Sequence, residues 1–296
     1  MRVRLAIGLL SAAESLGWIG REAGIFERLG VDLDIVRSET TGAVAAAGLA
    51  DGAWELAEVG AAPLVEANFQ GRDTVVVLAA EPSSSSFMVG RRGIDAPAKL
   101  AGGRMGVLSK GGQTELATMA MLDRWGLRES VEFVILGQSR RVLEALAAGE
   151  VDAGMLTADF RFLGEHRHGF HVLGDVGAEL RYLGPCLGAA RHWLRAAPDG
   201  AAAALRGYLE TIALFKADPA RVVPLLGRYL GIAERPVLEA IHAFYAARFV
   251  ADPHPPRDGI EHLIATYAPR YPAAGTRTFA DVTDADAIGA ALRARA

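Results

Sequence analysis

Short hydrophobic runs alternate with stretches of helical periodicity along the first part of the chain. The runs VRLAIGLL, VDLDIV, WELAEVG and TVVVLAAE are separated by patterns typical of helices, such as LGWIGREAGIFERLG and APLVEANFQG. Strands that alternate with helices in this way indicate parallel strands joined by right-handed helical crossovers. The pattern therefore predicts an α/β fold with mainly parallel sheets.

The same alternation begins again after Pro82. It runs RMGVL, VEFVILG, VDAGML and FHVLGD, with the helical patterns QTELATMAMLDRWGL and SRRVLEALAAGE between these runs. We therefore predict two similar lobes, lobe I formed by residues 1–81 and 187–296 and lobe II formed by residues 82–186. From about Tyr182 the patterns become mainly helical. We predict that these C-terminal helices pack on lobe I.

The loops after the predicted strands carry the candidate binding chemistry. In open α/β sheets, ligands bind outside the carboxyl ends of the parallel strands. These loops are rich in glycine, in hydroxyl residues and in other small residues. The five loops are Ser11 to Ser15, Thr40 to Gly42, Gly60 to Ala62, Ser109 to Thr114 and Thr157 to Asp159. One such loop is ordinary turn and capping chemistry. Five of them on the rims of two facing lobes predict a ligand cleft.

The overall charge narrows the choice of partner. A formal net charge of -4 and a pI near 6.0 give no basic field for a phosphate backbone, so we expect no nucleic acid partner. No apolar run approaches the roughly 20 residues that a membrane-spanning helix needs. The single cysteine, Cys186, cannot form an internal disulfide, and we expect it to be a small structural hydrophobe.

Signals for metal binding and catalysis are weak. His166, His168 and His171 form the one histidine cluster, HRHGFH, but no acidic or cysteine residue flanks it at a recognised ligand spacing. Ser109 lies in no nucleophile-elbow motif, and the first strand leads into LLSAAES rather than a glycine-rich dinucleotide fingerprint. We therefore predict no metal, no cofactor and no catalysis.

Four segments resemble a known family. REAGIFERLGVDLDIV, LADGAWELAEVGAAPLVEA, AKLAGGRMGVLSKGGQTELATMAML and ALAAGEVDAGMLTADF are similar, in order and spacing, to solute-binding proteins of the nitrate, sulfonate and taurine type and of the thiamin-pyrimidine-precursor type. The resemblance covers roughly residues 3–250. It implies a type II periplasmic-binding fold whose lobes are hinged near residues 81–86 and 184–188. It also implies a small organic ligand that is delivered to the permease of an ABC importer.

The resemblance also implies ligand contacts. Carried over by position, they fall at Ser11, Glu14, Leu16, Thr41, Gly42, Ala61, Ala62, Ser109, Gly112, Thr114 and Asp159. Trp18 is a further candidate for stacking on a ring, and Glu81 is a further candidate from the first hinge. Helix N-termini favour an anion by about 0.3 to 1 kcal/mol each, whereas a carboxylate about 4 Å from an anion costs around 4 kcal/mol.

The orientation of the acidic residues therefore decides the expected ligand. If Glu14, Glu81 and Asp159 point inward, an amine, an aminopyrimidine-like ring or a zwitterion is favoured. If they point outward, a sulfonate or a carboxylate is favoured. The sequence leaves both alternatives open.

The same scaffold also hosts cytosolic enzymes, including sulfinate desulfinases and thiamin-pyrimidine synthases. The alternative function is therefore an enzyme that acts on a small aromatic or sulfur-containing acid. The cysteine signatures of these enzymes are absent here, since the first-strand loop holds Ser11 and Ser15.

The opening MRVRLAIGLLSAAES resembles a secretory signal, but Gly8 interrupts its short apolar centre. The fold also needs this opening segment as its first strand. We expect a monomer, located outside the cytoplasm if a signal is missing from this chain and cytoplasmic otherwise.

Overall fold

A computed structural model describes residues 1–37, 41–110, 113–180 and 182–293. The chain divides into two compact units, the first formed by Met1–Pro82 and Leu183–Ala296 and the second by Ser83–Tyr182. The chain returns to the first unit at Leu183, and Pro185 already belongs to a strand of the first sheet, whereas the predicted lobe II extends to residue 186.

Ten strands are found among the described residues. Their bounds are β1 Arg2–Ile7, β2 Asp32–Arg37, β3 Leu56–Gly60, β4 Thr74–Leu78, β5 Ser86–Gly90, β6 Arg104–Val107, β7 Glu132–Ile135, β8 Ala153–Thr157, β9 His171–Asp175 and β10 Pro185–Ala190. The helices are α1 Leu16–Glu22, α2 Ile25–Arg28, α3 Gly42–Ala50, α4 Ala61–Phe69, α5 Gln113–Trp125, α6 Ser139–Ala148, α7 Ala158–His168, α8 Val176–Glu179, α9 Arg191–Ala196, α10 Pro198–Ala217, α11 Pro219–Leu230, α12 Arg235–Arg248, α13 Arg257–Tyr267, α14 Phe279–Val282 and α15 Ala285–Arg293.

The sheet of the first unit has the strand order β2-β1-β3-β10-β4. Strand β1 is parallel to β2 and β3, whereas β10 is antiparallel to both of its neighbours, β3 and β4. Every residue of β4 is buried, as expected for a strand that helices cover on both faces. Helices α3, α4, α13 and α14 supply part of this cover, and the aromatic core residues Phe69 and Tyr267 lie among them.

The sheet of the second unit repeats this topology with the order β7-β6-β8-β5-β9. Here β6 is parallel to β7 and β8, and β5 is the antiparallel strand between β8 and β9. The prediction of two similar, mainly parallel α/β lobes is therefore confirmed. In each sheet the one antiparallel strand directly follows a passage of the chain from one unit to the other.

The C-terminal helices pack on the first unit, as predicted, and α10 lies against α1 and α2. The ring of Phe26 fills the space between two glycines on neighbouring helices. A Cβ atom on Gly20 would lie 2.5 Å from Phe26 Cε2, and one on Gly207 would lie 2.4 Å from Phe26 Cε1. Neither glycine has a positive φ, so close helix packing explains the absence of a side chain.

Gly207→Ala is therefore expected to lower the free energy of unfolding by about 1 to 3 kcal/mol, because the added methyl overpacks the Phe26 site. Urea unfolding measures this change. Gly289→Ala is the matched control, since its Cβ would lie no closer than 3.3 Å to a neighbouring atom, the end of the Arg293 side chain. The control should raise stability by about 0.4 to 1 kcal/mol. Equal behaviour of the two variants would contradict the packing described here.

Candidate functional site

The loop that follows β1 folds back on itself. Ser11 begins a single 3-10 turn, and its Oγ accepts a hydrogen bond from the Ala13 N–H at 3.2 Å. The Leu9 N–H donates to Glu14 Oε2 at 2.5 Å, and the Ser15 hydroxyl donates to the Ala12 carbonyl at 2.8 Å. Ser11 and Glu14 are each only 1% exposed. Their polar groups thus hold the loop in shape.

Helix α12 supplies two side chains to this edge of the sheet. Tyr245 Oη lies 3.3 Å from Ser11 Oγ. Arg248 Nε donates to Glu81 Oε1 at 2.5 Å, and Glu81 is 1% exposed. Residues three apart lie on the same face of a helix, so one face of α12 holds both the loop after β1 and the segment after β4. Tyr245 and Arg248 were not among the predicted contacts, because nothing in an ordinary amphipathic helix pattern marks its distant partners.

Cys186 lies in β10, where its side chain is buried. Its Sγ donates to the Gly184 carbonyl at 3.4 Å. Burial raises the pKa of the Cys186 thiol well above its ordinary range, and the negative charges of Glu14 and Glu81 raise it further. The thiol therefore stays protonated at neutral pH and supplies no thiolate nucleophile.

A pocket of about 300 Å³, which we call the rim pocket, lies at the carboxyl ends of β1 and β2. Its apolar part is formed by Ile7, Leu9, Leu10 and Ile35. Trp18 and Tyr229 add two aromatic rings whose centroids are 5.3 Å apart. The Tyr229 hydroxyl donates to the Glu14 carbonyl at 2.8 Å, which ties α11 to the loop after β1.

Two guanidinium groups complete the rim pocket. Arg228 lies 5.9 Å from the centre of the Trp18 ring, and Arg21 is the second basic residue of the lining. Glu22 is shared between them, 3.2 Å from Arg21 Nη2 and 3.5 Å from Arg228 Nη2. One carboxylate for two guanidinium groups leaves a net positive charge beside an apolar and aromatic surface. Neither arginine was among the predicted contacts, because arginines are scattered along the chain.

Glu58 lies in β3 below this rim. Its Oε1 accepts the Gly17 N–H at 2.6 Å, near the N-terminus of α1. Burial raises the pKa of Glu58, and the hydrogen bond from the Gly17 N–H, together with the neighbouring Tyr208 hydroxyl, offsets part of this rise. The net change in the pKa of Glu58 is from 4.5 to about 7. Neither Glu58 Oε2 nor the Tyr208 hydroxyl has a well-aligned hydrogen-bond partner among the described residues. Burial, followed by the charge of Glu58, raises the pKa of Tyr208 well above its ordinary range.

The second unit has polar groups at the carboxyl end of β8. Thr157 ends this strand, and its N–H donates to Ser139 Oγ at 3.4 Å. The Thr157 hydroxyl is buried, and no hydrogen-bond partner is found for it within the described ranges. Asp159, in the first turn of α7, is fully buried. The guanidinium of Arg161 lies 4.7 Å from the Phe87 ring centre and 3.1 Å from Glu165. The sequence analysis named Thr157 only as a loop residue, without a role as a contact.

The other predicted contacts occupy varied positions. Thr41 is the exposed N-cap of α3, and its side chain accepts from the Val44 N–H at 3.3 Å. Gly42 faces Pro63, because a Cβ there would lie 2.6 Å from Pro63 Cγ. Ser109 and Thr114 are partly buried in the second unit. Gly112 lies outside the described residues.

Three predicted contacts have side chains that are unsuited to a ligand. Leu16 is 3% exposed, and Ala61 and Ala62 belong to the core cluster of the first unit. Because α1 and α4 begin inside the core, a ligand at these three positions would meet backbone groups rather than side chains. The predicted contacts at Leu16, Ala61 and Ala62 stay predictions.

The structure also bears on the metal and membrane predictions. Within the described residues, no group of three or more His, Cys, Asp and Glu side chains is placed to hold a metal ion. His168, from the HRHGFH cluster, stacks on Phe170 with ring centroids 5.1 Å apart. None of the described helices is both long and apolar enough to cross a membrane.

The fold matches that of solved periplasmic-binding proteins, as the resemblance implied. The chain belongs to the NMT1/THI5-like family, whose family model matches residues 17–222. No curated protein sequence matches the chain.

Several solved structures have the same fold at low sequence identity. The alkanesulfonate-binding protein SsuA from Xanthomonas axonopodis pv. citri, bound to MOPS, is 18% identical with a TM-score of 0.73 and 97% coverage of each chain. The periplasmic nitrate-binding protein NrtA from Synechocystis PCC 6803 is 11% identical with a TM-score of 0.79, and the match covers 99% of this chain and 88% of that one. A cysteine-to-serine mutant of DSZB, in complex with biphenyl-2-sulfinic acid, is 15% identical with a TM-score of 0.69 and 99% coverage of each chain.

Proposed function

We propose that this chain is the solute-binding component of an ABC importer and that it captures a small organic anion, a sulfonate or a carboxylate, in the rim pocket. The observation that carries the proposal is the composition of that pocket. Trp18 and Tyr229 lie beside an apolar surface that suits the carbon skeleton of a ligand. Arg21 and Arg228 share one carboxylate, so a net positive charge is left for an anionic group.

The contacts of Glu14 and Glu81, two of the three predicted acidic residues, favour an anion over an aminopyrimidine-like ligand. Glu81 is paired with Arg248, which offsets its charge. Glu14 accepts the Leu9 N–H, a bond that stabilises its charged form inside the loop. Repulsion of an anion by these two carboxylates is therefore smaller than an isolated carboxylate would cause.

The relatives agree with this proposal. SsuA binds alkanesulfonates and NrtA binds nitrate, both of them anions, and both are binding proteins with the same fold. In this function the chain would meet an importer permease outside the cytoplasm and act as a monomer. The permease, the location and the oligomeric state stay predictions.

The alternative function, an enzyme on the same scaffold, is supported by the fold that the chain shares with the desulfurization enzyme DSZB. We do not favour it, because the single cysteine is buried in β10 and its raised pKa keeps it protonated. The loop after β1 contains Ser11 and Ser15, and the hydroxyls of both residues make hydrogen bonds within the first unit.

Isothermal titration calorimetry of the full chain tests the proposal. The probes are MOPS, methanesulfonate, hexanoate and a 4-aminopyrimidine, in a buffer free of sulfonates. We expect saturable binding of at least one sulfonate or carboxylate, weakened about tenfold or more in Trp18→Ala and several-fold in Arg228→Gln. Trp193→Ala and Arg235→Gln are the matched controls, because both residues lie in the first unit outside the rim pocket. Binding of the aminopyrimidine alone would refute the anion assignment, and chemical conversion of any bound probe would refute the binding function.

A further inference from the structure

A second pocket of the first unit lies at the edge of the sheet opposite the rim pocket. Its volume is about 490 Å³, and we call it the arginine pocket. It adjoins the first residue of β4 and the last residue of the antiparallel β10, which both mark the amino edge of the parallel strands. Its lining includes Asn68, Arg72, Arg191, Arg195, Arg277 and Asp281. Four guanidinium groups therefore line one concave surface, and their partners within the protein decide whether any of them can bind a ligand.

Two of the four guanidinium groups are engaged within the protein. Arg191 donates to the Ala280 and Asp281 carbonyl oxygens at 3.0 and 3.1 Å, and it also lies 3.4 Å from an Asp73 carboxylate oxygen. Arg72 lies 3.6 Å from an Asp51 carboxylate oxygen. Arg191, the first residue of α9, thus fixes α14 against α9, and it forms one wall of the pocket.

The other two, Arg195 and Arg277, have no carboxylate within ion-pairing distance in the part of the chain that the structure describes. Arg277 Nε is buried, and no acceptor is found for it among those residues. The lining carboxylate of Asp281 does not supply one. It accepts the N–H and the hydroxyl of Thr278, both at 2.7 Å, in the capping box of α14.

A buried guanidinium N–H without an acceptor is unfavourable, and guanidinium groups match the oxygen geometry of phosphate and carboxylate groups. Asp73 and Asp281 are the two carboxylates of the lining, and neither accepts a hydrogen bond from Arg195 or from Arg277 Nε among the described residues. A phosphate has more acceptor oxygens than a single carboxylate for the N–H groups of two guanidinium side chains. We propose that the arginine pocket binds a phosphate-type oxyanion, with Arg195 and Arg277 as its contacts. The volume leaves room for the organic part of a phosphate monoester beside that group.

This site is separate from the rim pocket, and the proposal does not depend on the proposed function. The test uses the full chain in low-salt buffer, with inorganic phosphate and adenosine monophosphate as probes in calorimetric titrations. We expect saturable binding of a phosphate probe. Arg195→Gln and Arg277→Gln should each weaken that binding by about tenfold, the loss expected for one charge-assisted hydrogen bond. Tighter binding of adenosine monophosphate would identify an organic phosphate as the source, and preference for inorganic phosphate would identify the free ion.

Arg235→Gln is the matched control, since this arginine of α12 has a side chain that is 83% exposed and lies outside the pocket. It should bind phosphate as the unaltered chain does. Sodium chloride at matched ionic strength separates specific binding from general charge screening. Circular dichroism melting shows whether the variants remain folded. Absence of saturable phosphate binding, or undiminished binding by a folded double variant of Arg195 and Arg277, would overturn the proposal.

Discussion

Arg248→Met is expected to lower the free energy of unfolding of the first unit by about 3 kcal/mol. Glu81 is almost fully buried, and Arg248 is the cation that lies 2.5 Å from its carboxylate. Removal of the cation leaves a buried negative charge without this compensation, and such a change costs far more than the loss of a surface ion pair. The same change also removes a side-chain link between α12 and the segment that follows β4.

Urea unfolding followed by tryptophan fluorescence measures this loss, because Trp18, Trp54 and Trp193 all lie in the first unit. The matched control is Arg235→Met, which removes an exposed i,i+4 pair with Glu239 in the same helix and should change stability by no more than about 0.5 kcal/mol. The double variant Glu81→Gln with Arg248→Met should recover most of the loss, since it removes both charges. Equal losses in Arg248→Met and in the control would show that the pair is not a buried ion pair in solution.

The sequence could predict the strands and helices of both units because their signals are local. The run TVVVL, for example, carries the continuous apolar pattern of a strand that is covered on both faces, and it forms β4. The position of β10 is different. The resemblance implied a hinge near residues 184–188, whereas Pro185–Ala190 form a strand between β3 and β4. Pairing across more than a hundred residues of chain leaves no local mark on the sequence.

The candidate site was predictable only in part, for the same reason. The loop after β1 could be located from the position of its strand, and Ser11 and Trp18 lie at that rim as the topology requires. The partner of Glu81 could not be found, because Arg248 is 167 residues away and the α12 pattern gives it no special position. The charge of the ligand depends on such pairings, so the sequence alone left that question open.

The stability of the first unit is expected to fall as pH rises from about 4.5 to about 7, because Glu58 takes up a proton on folding. Burial raises the pKa of Glu58 to about 7, from 4.5 in the unfolded chain. Between these values the folded state holds a proton that the unfolded state has released, so each rise in pH favours unfolding. The full shift corresponds to about 3 kcal/mol, present below pH 4.5 and lost once the pH exceeds the folded value.

Glu58→Gln should remove this part of the pH dependence, because the glutamine amide resembles the protonated carboxyl in shape but cannot ionise. The variant should match the unaltered chain near pH 4.5 and exceed it by up to about 3 kcal/mol above pH 7. Unfolding free energies across this range, from urea titrations at each pH, measure the difference. Glu261→Gln, at an exposed residue of α13, is the control and should leave the slope unchanged. A Glu58→Gln curve that stays parallel to that of the unaltered chain would show that Glu58 is already ionised in the folded protein at low pH.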